Sequence, residues 1–216
     1  RKQAPRPERH SRLVPGRGLI VGRAAVSLFA VFLFTSVLAA CETPLPAQKI
    51  PGITFQHLAP IKLAVARVEV TSTYRPPLRP PNVEHLFPTP PGAALRIWAA
   101  DRLRAEGGSD VAKMVISNAS VTDTKLKIRK GIAGAFFIEQ SERYDAAVEA
   151  AIMIVDANGK QKAFATARAS RSTTVAENAS ISERRRIQFE MIEALMKDFD
   201  VEMEKNIRRY LANWIR

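Results

Sequence analysis

In YDAAVEAAIMIVDANGKQKAFATARASRSTTV, residues 144–175, two runs of alternating apolar and small or polar residues flank Asp156-Ala157-Asn158-Gly159. Period-two alternation puts every second side chain on one face of a strand. Asn-Gly supplies the positive φ that a tight reversal between two such strands needs. The reading predicts strands at about 144–156 and 160–174. A two-stranded hairpin is marginal on its own in water, so the rest of the chain must supply further strands and a layer that covers the apolar face.

It has the material. IKLAVARVEVT, residues 61–71, alternates and then shifts phase, which predicts a strand with a bulge near Ala66 or Arg67. VAKMVISNASVTDTKLKI, residues 111–128, predicts a second strand with a break around Asn118 to Thr124. Pro90-Pro91 can open a helix, AALRIWAADRLRA carries Leu95, Trp98 and Leu103 on its stripe, and Gly107-Gly108 ends it. A longer helix follows Ser180, whose spacing from Glu183 is that of a capping box. Its apolar stripe runs through Ile187, Met191, Ile192, Leu195, Phe199, Met203, Ile207, Leu211 and Trp214, and Glu193–Lys197 and Glu204–Arg208 are favourable i,i+4 pairs. The order is β-α-β-β-β-α. The expected fold is α+β, a four-stranded mostly antiparallel sheet with two helices packed on one face.

The 216 residues carry a formal charge of +12, which read as a whole suggests nucleic acid or membrane. The charge is unevenly placed. Residues 1–40 hold seven cations, Arg1, Lys2, Arg6, Arg9, Arg12, Arg17 and Arg23, against Glu8 alone, so half of the excess lies there. After Arg23 comes AAVSLFAVFLFTSVLAA, without a charge and shorter than the roughly 20 residues of a spanning helix. Basic segment, apolar run and small residues follow the order of a secretory signal. ETPLPAQKIPGITFQHLAP, rich in proline, then reads as an extended spacer. The expected division is a signal peptide at 1–40, a tether at 41–60 and one α+β periplasmic domain at 61–216.

Cys41, the only cysteine, stands directly after the apolar run. Leu38-Ala39-Ala40-Cys41 resembles the lipobox of bacterial lipoproteins. The resemblance implies cleavage between Ala40 and Cys41, and a diacylglyceryl thioether and a palmitate-type acyl group on Cys41. One acyl chain holds a protein to a bilayer only marginally, so a modification carrying two or three makes physical sense. With no second thiol, the mature chain can form no internal disulfide. Glu42 stands where an aspartate would, by resemblance to enteric lipoproteins, favour inner-membrane retention. The implied location is therefore the periplasmic face of the outer membrane, held by the lipid anchor.

Few residues point to catalysis. The histidines of the mature chain are His57 and His85, in no metal-binding spacing, and there is no GxSxG, P-loop or GxGxxG pattern. No metal and no cofactor beyond the covalent lipid is expected, and the chain reads as a non-enzyme, with a Ser-His-Asp hydrolase centred on His85 as the catalytic alternative. Contact surfaces are easier to nominate. The stiff segment Tyr74 to Pro91, with seven prolines, either presents Leu86 and Phe87 to a partner or folds both back over the core edge. Lys125, Lys127, Arg129 and Lys130 alternate with Leu126 and Ile128, which suits a phosphorylated, acylated lipid or the protection of an edge strand. Phe136 and Phe137 lie beside glycines, for contact or burial. The G-x-x-G of residues 131–134 resembles the clamp of KH domains, but an exported protein is not expected to meet nucleic acid. Arg184, Arg185 and Arg186 occupy the start of the last helix, where the dipole disfavours cations.

Taken together, the lipobox, the proline-rich tether, the element order and the long terminal helix resemble the small periplasm-facing lipoproteins of LptE, PqiC and YajG type. That resemblance covers residues 60–215 and rests on architecture. It implies two helices on a four-stranded sheet and an accessory or scaffold role in envelope lipid or lipopolysaccharide transport, with a membrane, an envelope protein complex or a lipid as partner. A structural lipoprotein binding cell-wall polymer is the alternative.

Overall fold

The computed structural model describes residues 51–127 and 139–216, all within the compact unit that spans Gln48–Arg216. Strands β1 (Ile61–Leu63) and β2 (Arg67–Ser72) are followed by a 3-10 turn at Glu84–Leu86, helix α1 (Pro91–Arg102) and β3 (Leu103–Ala105). Strands β4 (Val111–Lys125), β5 (Gln140–Val155) and β6 (Gln161–Ala176) precede helix α2 (Ile181–Tyr210) and a last 3-10 turn at Ala212–Trp214. The main sheet has the order β2-β4-β5-β6, and β1 and β3 form a small parallel pair. The β4-β5 and β5-β6 pairs are antiparallel, whereas β2 runs parallel to β4 and α1 makes the crossover that a parallel pair requires. The α+β expectation, four strands and two helices, holds.

The hairpin forms around Gly159, at φ 78°. The Asp156 carboxylate accepts from the backbone N–H groups of Asn158 and Lys160 at 2.9 and 3.0 Å, which fixes the reversal. Its strands extend several residues further from the turn than expected, because β5 keeps pairing with β6 out to Gln140↔Ala176. The break expected in β4 over Asn118 to Thr124 is absent, since the strand pairs continuously with β5 there; its one irregularity is a register shift just before, between Ile116 and Asn118.

Two further expectations need correction. The stretch 61–71 is two strands in different sheets, not one bulged strand. After Leu63 the chain folds back on itself, with Val65 N–H donating to the Leu63 carbonyl at 2.8 Å and Ala66 N–H to the Asp110 carbonyl at 2.7 Å. The first helix ends at Arg102, and Leu103–Ala105 leaves it as a strand paired with Ile61–Leu63. Gly108 is needed here because a Cβ would lie 2.6 Å from the Ala64 carbonyl oxygen.

The core lies between the sheet and the helices. Met114, Ile116, Val148, Ile152 and Ile154 from the strands meet Leu95 and Trp98 of α1 and Ile192, Leu195, Phe199 and Met203 of α2. Ser180 caps α2 by accepting from Glu183 N–H at 3.2 Å, and Pro91 opens α1 where its missing N–H costs nothing. Trp98 meets Phe199 edge to face at 5.3 Å. Beside them, Arg102, only 2 % exposed, donates to Asp200 at 2.8 Å and also to Glu204 and the Ala59 carbonyl, while Trp98 Nε1 donates to Asp200 at 2.7 Å. Part of the expected tether belongs to the core, since Ile53 and Phe55 are buried and Phe55 N–H donates to Asp101. Among the described residues, no helix is long and apolar enough to cross a membrane.

Candidate functional site

The far end of β4 and β5 gathers most of the described surface candidates. The proline segment is stapled there by Glu84, a buried carboxylate at 2 % exposure. Glu84 accepts from the Tyr74 hydroxyl at 2.8 Å, from Val121 N–H at 3.2 Å and from the Asn82 amide at 3.4 Å. Burial alone would raise its pKa, but these donors outweigh it and hold the carboxyl below its ordinary value. Burial and the same carboxylate push the Tyr74 hydroxyl up. Backbone bonds add to the staple, with Val83 N–H donating to the Val121 carbonyl and Asp123 N–H to the Pro81 carbonyl. A segment with seven prolines cannot pair as a strand along its length, so one multivalent buried acceptor does that work.

This geometry separates Leu86 from Phe87. Phe87 is 4 % exposed and meets the Tyr144 ring edge to face at 5.3 Å, so it belongs to the core and offers a partner no surface. Leu86, held in the 3-10 turn by its own N–H on the Val83 carbonyl, is 65 % exposed. Tyr144 links the loop to the start of α2. Arg184 donates to the Tyr144 hydroxyl at 3.1 Å and pairs with Glu142. The arginine run at the helix start is thereby explained for two of its members, since Arg186 pairs with Glu190 at 2.9 Å.

Asp123 sits opposite Tyr144 in the β4-β5 register. Its Oδ1 is buried without a hydrogen-bond partner. Burial raises the carboxyl pKa and nearby Glu142 raises it further, against the opposing pull of Arg184 and Lys125. Lys125, opposite Glu142 in the register, and Lys127 are exposed at the same end. Cys41 and Ala40, and Arg129, Lys130, Phe136 and Phe137, lie outside the described residues.

A second feature is a groove of about 680 Å³ between residues 51–58 and α2, with Ile53, Phe55, Leu58, Phe189, Ala194 and Val201 in its lining. Its volume lies in the usual range for small-ligand clefts. His57 also lines it. His85 is exposed on the 3-10 turn, and no hydroxyl or carboxylate is hydrogen-bonded to it. Among the described residues no cluster of His, Cys, Asp or Glu could hold a metal ion. The Arg102–Asp200 pair and the Glu84 staple are the polar centres that the sequence reading passed over. For Arg102 the available signal was its position, one turn after Trp98 on the apolar stripe of α1.

No family model matches the chain, and no curated protein matches it. Among solved structures, it is similar to rare lipoprotein B from Shewanella oneidensis, at 8 % identity and a TM-score of 0.32, over 64 % of this chain and 92 % of that one. It is similar to a minor lipoprotein from Acinetobacter baumannii at 13 % identity and a TM-score of 0.33, over 68 % and 95 % of the two chains. A Xanthomonas campestris protein of the DUF330 family matches at 11 % identity and a TM-score of 0.29, over 73 % and 92 %. Likeness at this level assigns the chain to none of the three.

Proposed function

We propose that the protein is a non-enzymatic lipoprotein, anchored through Cys41 at the periplasmic face of the outer membrane, that serves as an accessory or scaffold in envelope lipid or lipopolysaccharide transport. The observation that carries this reading is Leu38-Ala39-Ala40-Cys41 at the end of an uncharged run that follows a basic segment. A chain tethered in this way works at a membrane surface, and the stapled proline loop gives it a stiff contact element there. Stiffness matters because a partner then binds without ordering the loop first.

The test is to solubilise membranes of the native host in mild detergent, purify the full-length protein through a C-terminal tag, and identify what accompanies it by mass spectrometry. Stoichiometric recovery of membrane components of a transport machine supports the reading. Recovery of the protein alone, together with retention on purified sacculi, moves the assignment to a structural lipoprotein binding cell-wall polymer. Incorporation of labelled palmitate that is lost in Cys41→Ala checks the anchor separately.

A further inference from the structure

The three most exposed large apolar side chains of the described residues are Ile181 at 76 %, Leu86 at 65 % and Leu78 at 63 %. They come from two segments, the proline loop and the start of α2, that converge on one end of the domain. Leu78 precedes the Pro81 carbonyl that holds Asp123 N–H. Leu86 adjoins Phe87, which packs on Tyr144, and Tyr144 in turn receives the Arg184 guanidinium, one turn into the helix that Ile181 opens. The exposure of Leu86 is built in, because the Glu84 staple fixes the loop that presents it.

Along α2 several charges are paired, as in Arg171–Asp198, Lys205–Glu202 and Arg208–Glu204, although Lys197 makes no ion pair and Arg209 only stacks on the Tyr210 ring. At the tip, Arg79, Lys125, Lys127 and Arg185 are exposed and make no ion pair or hydrogen bond through their side chains. Of the acids nearby, Glu84 is consumed by the staple and Glu142 by Arg184, Asp123 feels Lys125 without bonding to it, and Glu177 and Glu183 remain exposed. Apolar side chains standing out from a rigid frame, flanked by unpaired cations, complement a surface that is anionic outside and hydrocarbon within. A folded protein partner would match the apolar part equally well, but it would not call for unpaired cations of one sign on three separate segments.

We infer that the tip formed by Leu78, Leu86 and Ile181 docks on an anionic lipid bilayer, and that Arg79, Lys125, Lys127 and Arg185 supply the attraction to the headgroups. The docking rests on the lipoprotein reading only for its address, since the anchor brings the domain to a membrane and the tip sets which end faces it.

The single cysteine makes the test clean. In the acylated full-length protein Cys41 is blocked, so Leu86→Cys or Ile181→Cys carries the only free thiol for an environment-sensitive fluorophore. Phe164→Cys, at 55 % exposure on β6, is the control. Each labelled protein is added to vesicles of phosphatidylcholine alone or of phosphatidylcholine with phosphatidylglycerol. The expected result is a blue shift at positions 86 and 181 in the anionic vesicles only, absent at 164, and lost in high salt or in Lys125→Glu/Lys127→Glu. Three results overturn the inference: no shift in anionic vesicles, an equal shift at 164, or a shift indifferent to lipid charge. Flotation separates the two readings. Protein that floats with both vesicle types but shows no shift keeps its anchor and loses the tip. Protein that floats and shifts only with anionic vesicles keeps the tip and loses the anchor.

Discussion

Asp110 and Asp123 stand toward opposite ends of the same strand, and the fold treats them in opposite ways. Asp110 accepts from Lys162 at 2.8 Å and from Trp214 Nε1 at 2.9 Å, and these donors, Lys162 first, hold its carboxyl below the ordinary range against the effect of burial. Asp123 has one oxygen without a donor and a raised pKa. The contrast extends to the surroundings. At the Asp110 end, β1, β3 and the C-terminal residues close on one another, and the nearby Arg102 cluster has its donors placed. At the Asp123 end, apolar side chains stand in solvent and cations go unpaired. In polar saturation the contrast is between the two aspartates and not between whole halves, since the buried Glu84 near Asp123 is fully served by its donors.

The largest effect that would sharpen this contrast is expected from Arg102→Ala. It leaves Asp200 buried without its cation, and removing one member of a buried pair costs about 3–5 kcal/mol. A chemical-denaturation loss well below about 1 kcal/mol would show that water reaches the cluster and that the base is less closed than described.

Next comes the adjacent pair in the proline loop. Phe87→Ala removes a core aromatic and should cost about 3–5 kcal/mol, whereas Leu86→Ala, at an exposed site, should stay within about 0.5 kcal/mol. Equal losses would mean that the loop does not divide the two side chains between core and solvent.

The smallest effects are pH profiles of the unfolding midpoint for Asp110→Asn and Asp123→Asn. The folded pKa of Asp110 lies below its ordinary 3.8, so its stabilisation is present above that value and disappears as pH falls through the lowered folded pKa. Asp110→Asn should therefore be less stable than the parent at neutral pH, with the deficit closing in acid. Asp123 has the opposite sign. Its folded pKa is raised, so its charge opposes folding once pH climbs above 3.8. Asp123→Asn should be more stable than the parent at neutral pH and indistinguishable from it well below 3.8. Two profiles of the same sign would abolish the contrast.

What could be read from sequence was local. Asn158-Gly159 between alternating runs dictates a hairpin because the turn needs positive φ and the period assigns each face, and Ser180 with Glu183 marks a helix start by a bond between near neighbours. The division of residues 61–71 could not be read in this way, since Ile61–Leu63 become a separate strand only by pairing with Leu103–Ala105 far downstream. Leu86 and Phe87 are alike in hydrophobicity, and only the staple onto Val121 decides which one turns inward. Arg102 and Asp200 have apolar neighbours on their stripes, and recognising them as a pair requires knowing that α1 and α2 lie side by side.

The small strand β1 has a consequence in time. Leu63 bridges Ile215, Ala64 N–H donates to the Trp214 carbonyl at 2.7 Å, and Arg216 N–H donates to the Lys62 carbonyl at 3.0 Å. A polypeptide delivered amino end first thus presents Leu63 long before its final neighbours exist. The hairpin and the long helix can form while delivery is still under way, but the seam at β1 closes only after Trp214–Arg216 arrive. Completion of this domain is therefore tied to those residues, the farthest in sequence from the strand they close on.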